Sequence, residues 1–100
     1  MIGRALKIIR KFNHVKQKEF AASTGLSPSY VSEIENEIKE PTIEVIQKYS
    51  ERFDIPMSSI LFFSEQLKNK KFSEKVRLKS ADKILKMLEW IDDAEDEKTD

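Results

Sequence analysis

The chain has no cysteine. This removes disulfides and thiolate metal sites from consideration and fits an intracellular, cytoplasmic setting. Histidine occurs once, as His14, and a metal or general-base role is not expected of it. No serine stands in a pattern with a histidine partner that would make it a nucleophile. No glycine-rich phosphate loop and no metal cluster is legible either. The chain is therefore expected not to be an enzyme and to need no cofactor or metal. No apolar run approaches the roughly 20 residues of a membrane-spanning helix. The start, Met1-Ile2-Gly3-Arg4, lacks the apolar stretch of a secretory signal, so no membrane partner is expected. Glycine and proline are scarce too: Gly3 and Gly25, then Pro28, Pro41 and Pro56.

Few breakers, combined with apolar residues at helical spacing, predict an all-α protein. At 100 residues, with 39 % hydrophobic and 36 % charged side chains, the chain suits one small globular domain. Net charge is zero, but its distribution is uneven. The first 18 residues carry Arg4, Lys7, Arg10, Lys11, Lys16 and Lys18 and no acid. From Glu89 onward, Asp92, Asp93, Glu95, Asp96, Glu97 and Asp100 face a single base, Lys98. A basic first helix suits phosphate, while an acidic tail stays in solvent.

Ile2, Leu6 and Ile9 predict a first helix ending near Phe12 or Asn13. Val15 leads into a second, with Phe20 and Ala21 inward. Thr24-Gly25 reads as a helix stop in a left-handed residue. Ser27-Pro28 reads as an N-cap followed by proline at the first helical position. Val31 and Ile34 are the inward pair of this third helix. Pro41-Thr42 starts a fourth, with Ile43, Ile46, Tyr49 and Phe53 inward, and Asp54-Ile55-Pro56 breaks it. A short fifth helix carries Ile60 and Leu61. Lys68-Asn69-Lys70-Lys71 marks a linker. Beyond it, Ala81, Ile84, Leu88 and Ile91 give one more helix an apolar stripe. The predicted organisation is a helix-turn-helix domain over 1–64, a linker over 65–72, and a C-terminal helix with acidic tail over 73–100.

Two short helices joined at a glycine form a compact unit that can push one helix into the major groove. Away from Val31 and Ile34, the third helix offers Ser29, Tyr30, Ser32 and Glu33, which are polar or amphipathic. Its amino end presents backbone N–H groups suited to phosphate.

The stretches Val15-Lys16-Gln17-Lys18-Glu19-Phe20-Ala21, Thr24-Gly25-Leu26-Ser27, Tyr30-Val31-Ser32-Glu33-Ile34-Glu35-Asn36 and Pro41-Thr42-Ile43 together resemble the Cro/C1-type (XRE) helix-turn-helix family. The resemblance covers roughly Ile2 to Phe62. It implies a five-helix, lambda-repressor-like DNA-binding domain, here with an additional C-terminal helix. By position it implies base reading by Pro28, Ser29 and Glu33; Tyr30 beside them either reads bases too or packs its ring on a neighbour. It also implies phosphate contacts by Gln17 and Asn36, and Lys16, Ser27 and Lys39 are further candidate phosphate contacts. Lys7 and Lys11 belong either to that face or to a merely solvated one. Arg10 and Glu35 match a pair that ties the first helix to the third through a partly buried salt bridge, a structural role. The sequence departs from the family's pattern at His14 and Glu37, where glycine is common. The loop Glu37-Ile38-Lys39-Glu40 is also less basic than usual. An acid at Glu33 can accept a hydrogen bond from cytosine N4 but repels phosphate.

The function implied is that of a repressor or controller that binds double-stranded DNA at a palindromic operator as a homodimer. The candidate dimer or partner contacts are Phe62, Phe63, Ile84, Leu88 and Ile91. The alternative is an antitoxin or antirepressor whose C-terminal helix and acidic tail engage a toxin or another regulator protein.

Overall fold

Five helices follow one another in a computed structural model that describes residues 2–67 together with Lys86, Met87 and Trp90. They are α1 (Ile2–Phe12), α2 (Gln17–Thr24), α3 (Pro28–Glu35), α4 (Ile43–Phe53) and α5 (Met57–Gln66). The described residues are all-helical apart from turns and links. α1 runs through the middle of the bundle, packing against α3, α4 and α5, while α2 pairs with α3.

Ala5, Leu6 and Ile9 of α1 are wholly buried and meet Val31 and Ile34 of α3, Tyr49 of α4, and Ile60 and Phe63 of α5 in one core. Phe20 joins α2 to α4. Its ring stacks on Phe53 at 5.7 Å between centroids and tilts against Tyr49 at 4.1 Å, a geometry that adds to simple area burial. Gly3 sets how closely α1 approaches α3. A Cβ there would run into the Ile34 carbonyl oxygen, a backbone atom that cannot move aside.

Two helix starts are capped as their sequences suggest. Ser27 Oγ accepts from the Tyr30 amide at 3.1 Å, ahead of Pro28 in the first turn, and Thr42 Oγ1 accepts from the Val45 amide at 3.2 Å. The helix ends share a less obvious device. Each of α1 to α4 is closed by a residue in the left-handed region: His14 at φ 58°, Gly25 at 78°, Glu37 at 61° and Asp54 at 54°. After α1, the Val15 amide returns to the Arg10 carbonyl and the His14 amide to Lys11. After α3, the Ile38 amide returns to Glu33 and the Glu37 amide to Ile34. These paired returns are Schellman closures. Only one of the four left-handed positions holds glycine, so His14 and Glu37 adopt the backbone that the family's glycines supply without strain.

One expectation, the inward place of Ile43, is corrected. Ile43 is 74 % exposed. The inward stripe of α4 is Val45, Ile46, Tyr49 and Phe53, and Ile43 falls roughly 100° around the helix from its centre. α2 begins at Gln17, with Val15 buried in the link before it. α5 runs to Gln66, and Leu67 after it is buried in the core. Leu61 points outward while Ile60 points inward. Ile84, Leu88, Ile91 and the acidic tail lie outside the described residues. Met87 is fully buried, and Trp90 sets its ring edge-on to Phe12 at 5.8 Å, so this part of the C-terminal segment packs against the end of α1.

The left-handed positions yield a stability test. His14→Gly should stabilise the domain by about 0.5–1 kcal/mol, since His14 is exposed and the exchange relieves strain. Gly25→Ala should destabilise it by about 1 kcal/mol, although nothing lies within 4 Å of the added methyl. Urea unfolding of the two variants beside the parent measures both. A loss of stability on His14→Gly would contradict the strain argument.

Candidate nucleic-acid interface

The sequence folds α3 so that one side is core and the other is open. Val31 and Ile34 are buried, Ser27, Pro28 and Ser29 are exposed at its amino end, and Tyr30, Ser32 and Glu33 are half-buried along its length. Beside its carboxyl end opens a shallow cleft lined by Lys7, Arg10, Lys11, Lys16, Gln17 and Asn36. α1, the start of α2 and the residue after α3 thus contribute to one basic surface. Lys16, the N-cap of α2, makes no side-chain capping bond, which leaves the first amides of that helix to another acceptor.

Beneath the cleft lies a buried ionic cluster centred on Glu35. Arg10 donates to its carboxylate from Nε, at 3.1 Å to Oε1 and 2.9 Å to Oε2, and from Nη2, at 2.8 Å to Oε1. The Tyr49 hydroxyl donates to Oε2 at 2.7 Å and Gln17 Nε2 donates to Oε1 at 3.1 Å. The remaining guanidinium nitrogen, Nη1, donates to the Val15 carbonyl at 2.8 Å. No described buried side-chain nitrogen or oxygen lacks a partner, as a carboxylate removed from water requires. Burial, then the negative charge of Glu35 and the bond to it, push the Tyr49 phenol far above the ordinary tyrosine range.

Lys16, Gln17 and Asn36 come together in the cleft, and Ser27 stands with Pro28 and Ser29 at the amino end of α3. Lys7 and Lys11 also line the cleft. Gln17 also reaches back to Glu35, and Asn36 Nδ2 donates to Ser32 Oγ at 3.2 Å. Lys39 turns toward α3, with its Nζ 3.6 Å from Glu33 Oε1 and 5.8 Å from the centre of the Tyr30 ring. Of the two phenylalanines expected to meet a partner, Phe63 is withdrawn: it is fully buried in the chain's own core, whereas Phe62 is exposed. Two adjacent residues on a helix face about 100° apart, and the core takes one of them. The sequence reading missed Tyr49 as a polar anchor. It counted only the ring's inward position, although a phenol buried near an acid needs a partner for its hydroxyl.

A family model described as helix-turn-helix matches residues 6–60. The match spans more than half of the chain, from the middle of α1 through α4 into α5, and the chain belongs to this Cro/C1-type helix-turn-helix family. Neither a curated protein nor a solved structure matches significantly. The protein is a DNA-binding transcription regulator in the general sense that this family defines. Among the described residues, no helix is long and apolar enough to cross a membrane.

Glu35→Gln should cost roughly 3–5 kcal/mol, because it leaves the Arg10 guanidinium buried without its counter-charge. The double exchange Arg10→Met with Glu35→Leu should cost much less than the sum of the single losses, which denaturant titration of all the variants would establish. Tyr49 makes stability depend on alkaline pH. Its folded value is raised above the ordinary 10.0, so above about pH 10 the unfolded chain binds fewer protons than the native one and stability falls as pH rises. In Tyr49→Phe this part of the fall should vanish, at the cost of roughly 1.5–3 kcal/mol at neutral pH for the lost bond to a charged acceptor.

Proposed function

We propose that this regulator is a repressor or controller that binds a short palindromic operator as a homodimer, with α3 in the major groove. The observation that carries the reading is the joining of two surfaces at Asn36. The open side of α3 has the short polar groups that base edges accommodate, and the basic cleft beside it suits a phosphate run. In this reading Pro28, Ser29, Tyr30 and Glu33 face the bases. Lys16, Gln17, Ser27 and Asn36 meet the backbone, and Lys7 and Lys11 add to the field that draws it in.

Charge supports homodimerisation. The Arg10 charge is neutralised by Glu35, and the loop after α3 sets Glu37 and Glu40 beside Lys39. One domain therefore has few cations for phosphate, and two linked domains gain affinity through effective concentration. A dimer would place its two reading helices about 34–36 Å apart, one turn of duplex. Exposed Phe62, with Ile84, Leu88 and Ile91 from outside the described residues, is the candidate contact. The other reading, an antitoxin or antirepressor acting through the C-terminal segment, draws less support, since Met87 and Trp90 already pack against their own domain.

Electrophoretic mobility shift on the DNA upstream of the chain's own coding sequence, across a salt series, tests the proposal. A specific shift should weaken as salt rises. Lys16→Ala should reduce the slope of log affinity against log salt by about 0.9 for any duplex, whereas Ser29→Ala should weaken only the specific site. Equal binding to that DNA and to random duplex would overturn the operator reading, and a strict monomer in light scattering at high concentration would overturn the dimer.

A further inference from the structure

Lys39 turns toward the reading helix. Its backbone fixes it there. The amides of Ile38 and Lys39 both donate to the Glu33 carbonyl, at 2.8 and 3.2 Å, because the chain reverses at left-handed Glu37. Its side chain then folds over α3, with Nζ 3.6 Å from the Glu33 carboxylate and over the Tyr30 ring. Tyr30 and Glu33 are three residues apart, so they occupy one face of the helix on successive turns. The same short turn therefore holds a carboxylate, an ammonium and an aromatic face together.

We propose that Lys39 is a specificity-determining residue that acts through Glu33 and not chiefly as a phosphate contact. This rests on α3 reading the major groove. A lone carboxylate entering the groove meets the negative field of two phosphate strands. An ammonium held beside it cancels that repulsion and leaves the outer carboxylate oxygen as an acceptor. Tyr30 stabilises the ammonium from its other side through its ring face. The group such an acceptor selects is an exocyclic amine on a base edge, and cytosine N4 is the usual partner of an acidic side chain. Lys39 and Glu33 then form one reader, so losing the lysine harms recognition mainly because it strips the acid of its counter-charge.

The test is a thermodynamic cycle. Duplexes are first selected from a random pool with the parent protein. Affinities for the selected duplex and for a random one are then measured across a salt series for the parent, Lys39→Met, Glu33→Gln and the double variant. Lys39→Met should weaken the selected site roughly tenfold in the parent background and less than about twofold in the Glu33→Gln background. Its salt slope should stay near the parent's, since a lysine paired to an acid displaces little counterion. Glu33→Gln should relax the preference for cytosine at one position. Equal losses in both backgrounds, with the slope reduced by about 0.9, would make Lys39 an ordinary phosphate contact and overturn this inference alone. If the parent selects no sequence, the DNA-reading premise and this inference fall together.

Discussion

The arrangement depends first on one buried carboxylate. Glu35 is the last residue of α3, and its donors come from the three other helices that surround it: Arg10 of α1, Gln17 of α2 and Tyr49 of α4. A charge taken out of water is costly, and only a full set of well-placed donors offsets that cost. A rival packing that moved any of these helices by a turn would leave either the acid or the guanidinium without partners. The cluster need not add net stability, since apolar residues of the same shape could match it. What it adds is discrimination among near-equal packings, and it does so at the joint where α3 meets the helices that line the basic cleft. Gln17 is the hinge between the two: the same amide that completes the buried set sits at the lip of the surface.

A second constraint is chain reversal with little glycine. Four helix ends close in the left-handed region, and three do so with a side chain present. The strain, of order 1 kcal/mol at each such residue, falls at the ends of α1, α3 and α4. It is tolerated because the chain is well held immediately after each turn. Val15 is buried after His14, Ile55 is buried after Asp54, and the amides after Glu37 return to α3. At α3 the reversal also has a chemical consequence, since it delivers Lys39 over Glu33. Local backbone geometry thus decides which side chain an acidic residue on α3 has for company.

Much of this was legible in the sequence, and the parts that were not share a physical reason. Ser27-Pro28, Thr42 and Thr24-Gly25 announce themselves because caps and left-handed stops are set by neighbours in the chain. Phe20, Val31 and Ile34 follow from helical period. The Arg10–Glu35 pairing could be placed only through the family resemblance, since 25 residues separate the two. Ile43 and Phe63 were misjudged because periodicity gives the spacing of an apolar stripe but not its phase. An isoleucine at the first position of α4 lies outside a stripe whose centre is fixed by Tyr49 and Phe53. The sequence names Lys39 as a candidate phosphate contact but gives no hint that it lies against Glu33 and Tyr30. Its direction depends on a turn built around left-handed Glu37, and no propensity for glutamate at that conformation signals it.

Net charge obscures how the protein's electrostatics work. The sum is zero, yet the described surface is segregated. The guanidinium nearest the cleft is cancelled from below by Glu35, and Lys39 lies against Glu33. Lysines 7, 11 and 16 carry the field of the cleft. On the proposed reading, with Arg10 compensated a single domain has few cations for phosphate, and sequence-independent affinity scales with the number of phosphates neutralised. A weak background has an advantage for a regulator: the ratio of specific to non-specific binding decides occupancy among many competing sites, not absolute affinity. On the proposed reading, pairing cations with acids inside the domain lowers the background term while the short polar face of α3 keeps the specific one. Dimerisation then restores affinity only where two half-sites are correctly spaced, since the second domain gains from its tether only if it can reach a matching site.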